Sequence, residues 1–583
     1  MNTKFRGFCL FLLVIAFSLS LIAQQDTNSF QTNPNWWKNA VIYEIYPRSF
    51  QDSNGDGIGD LNGITSRLDY LQALGVNAIW LTPIYPSPQV DFGYDISDYT
   101  AIDPKYGTMA DFDRLAGEAR KHNIGIIMDL VLNHTSDKHP WFVESASSRS
   151  NPKADWYVWR DPKIVNGHRE PPNNWISVFG HSAWQWDPAR KQYYYHRFYI
   201  QQPDLNWTNP AVRKAMYDVE RFWIQRGVAG FRLDAITSLF EDPSFSDEDY
   251  VLGPDGKPLI NAYGDKEVKT DKTDDLPEVN DVLRELRQVE NETHGRKVIL
   301  IGETYLRSID DLHKMYGPHN DELDLPMDMQ VGFINHFDVS LFRKRIDEAE
   351  TEIGGNQPLF VFDNHDNPRW DRYISADHKD DVGRVIATLL FASRDTAMMY
   401  YGDEIGMVTT PPTRKEDVKD PIGITGWPKE KGRDGERTPM QWNDGPDAGF
   451  SPSGVKTWLP IPPSYEQINV TAEEHEPNSM LHWYQQLIAL KKTDPALHDG
   501  AETMLNTSDE HVLSWLRKAD SGEAVVVACN LSDQPQTISF DLSPQDIHGT
   551  GVITLLKTPG GADPASLHSV QLGPYGVYIG RIQ

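Results

Sequence analysis

Asp129, Asp234, Glu303 and Asp366 each stand where a short apolar run stops. The runs are Gly125-Ile-Ile-Met, Gly230-Phe-Arg-Leu, Val298-Ile-Leu-Ile-Gly and Leu359-Phe-Val-Phe-Asp-Asn-His. Each reads as a strand buried on both faces, which calls for apolar residues throughout. A carboxylate at the C-terminal end of such a strand points into the mouth of a parallel barrel, where barrel enzymes keep their chemistry. One acid there serves equally well as a helix cap or loop ligand. Four on four strands, spread over about 240 residues, are hard to explain by capping.

Paired strand-end carboxylates suit cleavage of a glycosidic bond by double displacement. One attacks the anomeric carbon; the other protonates the leaving oxygen and later deprotonates water, at a separation of about 5–5.5 Å. Asp234 and Glu303 end the strands counted fourth and fifth, and neighbouring strands supply such a spacing. Arg232 lies two residues before Asp234, so it faces the same way on a strand and would keep that carboxylate ionised and oriented.

The elements that must position these residues alternate along the chain. Strands are predicted at residues 40–46, 78–81, 125–131, 230–234, 298–302, 359–362 and 397–401, with helices at 66–74, 109–122, 211–226 and 277–290 between them. Strand–helix alternation repeated about eight times predicts an α/β fold, most simply a closed (β/α)8 TIM barrel. The barrel spans residues 35–133 and 206–495, interrupted after the third strand by an inserted subdomain at 134–205. A second polar insertion is expected at 408–449. From 496 to 583 the pattern becomes period-two runs between turn residues, which predicts a C-terminal antiparallel β-sandwich.

Composition narrows the function. The 583 residues carry a formal charge of −29, which argues against nucleic acid or anionic membrane as partner and suits a neutral small-molecule substrate. Seventeen Trp and 24 Tyr are many, and those in Trp156-Tyr-Val-Trp159 and Trp175, set in polar loop sequence, are expected to stack on sugar rings. Residues 1–23 read as a cleaved secretion signal: Lys4 and Arg6, an apolar run from Phe8 to Ile22, then Ala23. The protein is therefore expected to be exported, to the periplasm or beyond, without stable membrane insertion. Cys9 lies in that signal, so Cys529 is left without a disulfide partner.

Asp52-Ser-Asn54-Gly-Asp56-Gly-Ile58-Gly-Asp60 follows the first strand. Oxygen ligands at alternate positions around a Gly turn suit a hard cation such as Ca²⁺; a plain turn loop is the alternative.

Asp129-Leu-Val-Leu-Asn133-His134, Gly230-Phe-Arg-Leu-Asp234, Gly302-Glu303 and Asn364-His365-Asp366 resemble, in order and spacing, the four signature segments of the α-amylase family of glycoside hydrolases. Gln202-Pro-Asp-Leu-Asn206, Tyr401-Gly-Asp-Glu-Ile-Gly406 and Glu436-Arg-Thr-Pro-Met-Gln-Trp442 resemble that family's oligo-1,6-glucosidase and α-glucosidase (maltase) branch. The resemblance implies Asp234 as nucleophile, Glu303 as general acid/base and Asp366 as the carboxylate that distorts the bound sugar. It also implies that Asp91 and Arg437 pair to close the pocket beyond one glucosyl unit, with Tyr94 stacking and His134 and His365 bonding its hydroxyls. A branch loop like residues 52–60 binds Ca²⁺ or Mg²⁺. Ala235 after the nucleophile, and Thr304-Tyr305 after the acid, resemble the maltase group and tilt the expectation toward α-1,4 links. The expected activity is exo-acting, retaining release of glucose from short α-glucosides. The alternatives are a transglycosylase, such as a sucrose isomerase or trehalose synthase, and a non-enzymatic transporter heavy chain.

Overall fold

The computed structural model describes residues 30–293, 295–373 and 379–583. The expected secretion signal at 1–23 lies outside the described residues. Seven parallel strands form one curled sheet, running in space from Leu325–Pro326 through Ile299–Gly302, Gly230–Asp234, Gly125–Val131, Ala78–Leu81 and Val41–Ile45 to Ala397–Tyr400. Every residue of these strands is buried, as a parallel sheet covered on both faces requires.

The eighth position of the barrel departs from expectation. Residues 359–362 form no regular strand; a single bridge joins Phe360 to Asp328. The ring still closes through Asp328 N–H to Leu359 O at 2.8 Å and Thr396 N–H to Pro358 O at 3.0 Å. The physical reason is local. Pro358 has no N–H to give, and just beyond the run Asn364 Oδ1 takes the N–H groups of Asp366 and Asn367 at 2.8 and 2.9 Å.

The helices form where the periodicity places them. Leu68–Leu74 ends on Gly75 at φ 100°, a left-handed cap that only glycine adopts without strain. Met109–Lys121 opens with a Thr108–Asp111 capping box, and Pro210–Gln225 with Asn209 as cap and Pro in the first turn. Among the described residues no helix is long and apolar enough to cross a membrane.

The inserted segment carries a three-stranded sheet of Trp159–Arg160, Gln192–Tyr195 and Trp184–Asp187, with the hairpin Lys163–Val165/His168–Glu170. Val158, Trp175, Ala183, Trp184, Tyr193 and Tyr195 make its own core. Trp159 and Trp175 are 6% and 2% exposed, so the expectation that they stack on sugars is corrected: they are structural aromatics. At the C-terminus a five-stranded antiparallel sheet and a two-stranded sheet, Gln536–Ile538 with Val570–Leu572, enclose a shared apolar core that includes Val526, Ile538 and Val570. Cys529 is buried and free in the larger sheet.

Candidate active site

Register places the acids. Strand pairing sets Asp129 opposite Arg232 and Val131 opposite Asp234, while Gly302 faces Leu233, so Glu303 falls beside Asp234 on the neighbouring strand. The Glu303 N–H bonds Leu233 O at 3.0 Å, extending the ladder to the reacting residue itself. Gly302 precedes it because a Cβ there would overlap the Leu323 side chain.

Arg232 is fully buried and serves three carboxylates. It reaches Asp129 at 3.1 Å and Asp234 at 2.6 Å, and also ion-pairs with Glu303. The second Glu303 oxygen accepts the Ala235 N–H at 2.8 Å; Ala235 sits at φ 46°, in the left-handed region, which turns that N–H toward Glu303. Asp129 also accepts from Tyr94 Oη at 3.0 Å and Trp80 Nε1 at 3.3 Å. Burial pushes Asp129, Asp234 and Glu303 above the usual carboxylate range against the pull of Arg232, Asp129 to about 6 and both Asp234 and Glu303 to about 7.

Asp366 has the opposite setting. Arg437 and Arg433 donate to one of its oxygens at 2.7 and 2.8 Å, and His365 Nε2 lies 3.2 Å from the other. Burial alone would raise this acid, but His365 and the two guanidiniums hold it well below its ordinary value. For His365, burial opposes the charge, yet Asp366 and Glu44 lift the ring to about 9. His134 has no acid partner among the described residues, and burial lowers it to about 3, so it is a neutral ring.

These groups surround a cavity of about 390 Å³. Asp91, Tyr94, His134, Asp234, Glu303 and Asp366 line it. Arg232, His365 and Arg437 do not; they stand behind the lining and hold it. His365 is 0% exposed, bonded to Glu44 at 2.6 Å and to Tyr94 Oη at 2.7 Å, and stacked on Tyr94. Both of its nitrogens are engaged by protein groups, so in this structure His365 supports the wall through Tyr94 and Asp366.

The closing pair also differs from expectation. Asp91 pairs with Arg433 at 2.8 Å and not with Arg437, which donates to Asp366 and, at 2.7 Å, to His365 O. Arg433 reaches further because Asp420 fixes its backbone N–H at 2.7 Å and its Nε at 2.8 Å. Its guanidinium then bridges Asp91, Asp366 and Asp420 and lies over the Phe179 ring. Arg433 stands four residues before Arg437 in the expected insertion, and only that spacing signalled it. Gln202 was missed too: its Nε2 bridges Asp91 at 3.1 Å and His134 at 3.1 Å. The connection after the fourth strand, residues 235–278, supplies Thr270, Asp274 and Asp275 to the cavity wall, and no sequence pattern announced it.

In the 52–60 loop, Asp52 accepts from the N–H groups of Asn54, Gly55 and Gly57, and Asp60 from Ser53 and Gly63. Asn54 and Asp56 each accept the N–H two residues on, both at 2.9 Å. No cluster of three or more His, Cys, Asp or Glu side chains arranged for a metal is found among the described residues.

The family described as alpha amylase, catalytic domain, matches residues 44–500. A probable alpha-glucosidase of Rhizobium meliloti (strain 1021) is 39% identical over 96% of this chain and 100% of its own length. An oligo-1,6-glucosidase of Parageobacillus thermoglucosidasius is 36% identical, over 94% of this chain and 99% of its own. Among solved structures, an alpha-glucosyl transfer enzyme, XgtA, is similar with a TM-score of 0.84 at 37% identity, covering 94% of this chain and 99% of that one.

Proposed function

The chain belongs to the α-amylase family of glycoside hydrolases, and on that premise we propose that it is an exo-acting, retaining α-glucosidase that favours short α-1,4-linked substrates. The observation that carries this reading is the placing of Asp234 and Glu303 side by side on adjacent strands, bridged by the Arg232 guanidinium. Adjacent strands lie about 4.7–4.9 Å apart, close to the about 5–5.5 Å of a retaining pair and short of the about 6.5–9.5 Å of an inverting one.

In the first step an Asp234 oxygen attacks the anomeric carbon while the Glu303 carboxyl proton passes to the glycosidic oxygen. The C–O bond breaks, the remaining sugar leaves, and a glucosyl ester forms on Asp234. In the second step Glu303, now a carboxylate, takes a proton from water, whose oxygen displaces Asp234 with net retention. The raised setting of Glu303 supports the first role, since it holds a proton near neutral pH. Asp366, held anionic, faces the sugar hydroxyls. The Asp91–Arg433 contact ends the cavity beyond one glucosyl unit, which makes the action exo.

Purified protein given maltose, maltotriose, isomaltose and sucrose separately tests this by product chromatography. Fast glucose release from maltose and maltotriose, with isomaltose slow, is the expected result. Isomerised or longer products in place of glucose would favour transfer to a sugar, the reading that similarity to a glucosyl transfer enzyme supports.

We also propose that residues 52–60 hold a structural Ca²⁺ or Mg²⁺. Asp52, Asp56 and Asp60 bring three carboxylates into one nine-residue loop, whose negative charge a divalent cation would balance; Asn54 and Ile58 would complete its oxygen ligands. Removal of the ion with a chelator is expected to lower Tm, and a Tm indifferent to both chelator and added Ca²⁺ would argue for a plain turn.

A further inference from the structure

Past the catalytic carboxylates the cavity continues to a second wall that none of the roles above uses. Two stretches lead out to it: Asp234 through Ala235 and Thr237 to Ser238, and Glu303 through Tyr305 to Arg307. The Asp91–Arg433–Asp366 network holds the opposite end, so the reacting pair lies between two walls.

The outer wall is fastened at two points. Arg197 ion-pairs with Asp274 and donates to Thr273 Oγ1 at 3.2 Å, and Ser238 donates to Asp274 at 2.7 Å. Arg307 bridges to Asp271 at 2.9 Å and Thr270 at 3.3 Å, tying the loop after the fourth strand to the one after the fifth. Asp275 comes next. Its N–H bonds Thr237 O at 2.9 Å and its φ is 59°, a left-handed conformation that asparagine and aspartate tolerate better than most residues. Its carboxylate is exposed on the cavity wall and, unlike those of Asp271 and Asp274, has no hydrogen bond or ion pair among the described residues. Both arginines at this wall are already matched by an acid, so the Asp275 charge is the surplus one.

We propose that this wall receives the departing part of the substrate and that Asp275 accepts hydrogen bonds from its hydroxyls, selecting a neutral second sugar and disfavouring a phosphorylated one. The proposal rests on the α-glucosidase reading. Its test compares maltose with α-glucosyl fluoride, whose leaving group is a single atom that cannot reach the wall. Asp275→Asn and Asp275→Gly both suit a positive φ, so folding is retained. In either variant the maltose-to-fluoride ratio of kcat/KM should fall about tenfold, chiefly through KM for maltose, as loss of a charge-assisted hydrogen bond entails. Maltose carrying a phosphate on its reducing-end glucose should be a poorer substrate than maltose for the wild type, and the gap should narrow in Asp275→Asn. An unchanged ratio in both variants would overturn the proposal. A wild-type protein that cleaves neither maltose nor the fluoride removes the glucosidase reading, and this inference with it.

Discussion

Around Asp234 and Glu303 one guanidinium, Arg232, serves three carboxylates; around Asp366 three cationic groups, Arg433, Arg437 and His365, converge on one. Both settings are buried, and burial alone raises any acid. The sign of the shift therefore follows the local count of cations. Where one guanidinium serves three carboxylates, Asp234 and Glu303 are both raised to about 7 and the group retains a proton to give. Where three cationic groups contact one carboxylate, Asp366 is held ionised well below its ordinary value. One cavity thus contains a proton donor and a fixed anion, made from the same functional group.

The largest expected effects break the acid-rich side. Asp234→Asn and Glu303→Gln should each lower kcat by about 10⁴-fold or more, because each removes a group that forms or breaks a bond. Neither should lower Tm, since each takes one acid from a guanidinium that has three. Steady-state kinetics with thermal melts checks both halves of the statement; a clear drop in Tm would mean that the three acids are held by more than Arg232. Next in size, Asp366→Asn should cost about 10²–10³-fold in kcat and should lower Tm, because it takes from Arg433 and Arg437 a carboxylate that both contact. If this variant melted like the wild type, the two halves would not differ as described.

Much of this arrangement was legible in the sequence. Asp234, Glu303 and Asp366 were visible because an apolar run gives way to an acid at or just after its end, and Asp129 because it is a lone acid in an apolar run, two residues before its strand ends. Arg232 followed from the two-residue repeat of a strand. What failed had long-range or purely three-dimensional causes. Arg433 and Arg437 lie one helical turn apart in an irregular insertion, and only the anchoring of Arg433 by Asp420 decides which one reaches Asp91. Trp159 and Trp175 looked like loop aromatics because Trp159 sits on a two-residue strand, Trp175 on none, and their ring partners Tyr194 and Tyr195 are distant in sequence. The strand at 359–362 had the right composition, yet it follows Pro358, which lacks an N–H, and runs straight into the turn at Asn364, which leaves a single bridge to Asp328.

The cation-rich side can be sharpened by coupling. Asp91→Asn combined with Arg433→Ala should show an interaction energy of about 1 kcal/mol or more in kcat/KM, while Asp91→Asn with Arg437→Ala should be additive within about 0.5 kcal/mol. The reverse pattern would restore the pairing expected from sequence.

The smallest expected effect follows from proton linkage on the acid-rich side. Glu303 titrates near its ordinary value in the unfolded chain and at about 7 in the folded one. The folded state thus binds the extra proton, and the stability this contributes is complete below about pH 4.3, then lost as pH rises through 7. Glu303→Gln keeps the shape and removes the titration. Its Tm relative to wild type should therefore rise by about 1–3 °C between pH 5 and pH 8, a shift small enough for a chain of this size. Asp366→Asn should give no slope in that window, because its folded titration lies well below it. Equal slopes for the two variants would mean that burial, and not the balance of neighbouring charge, governs both acids.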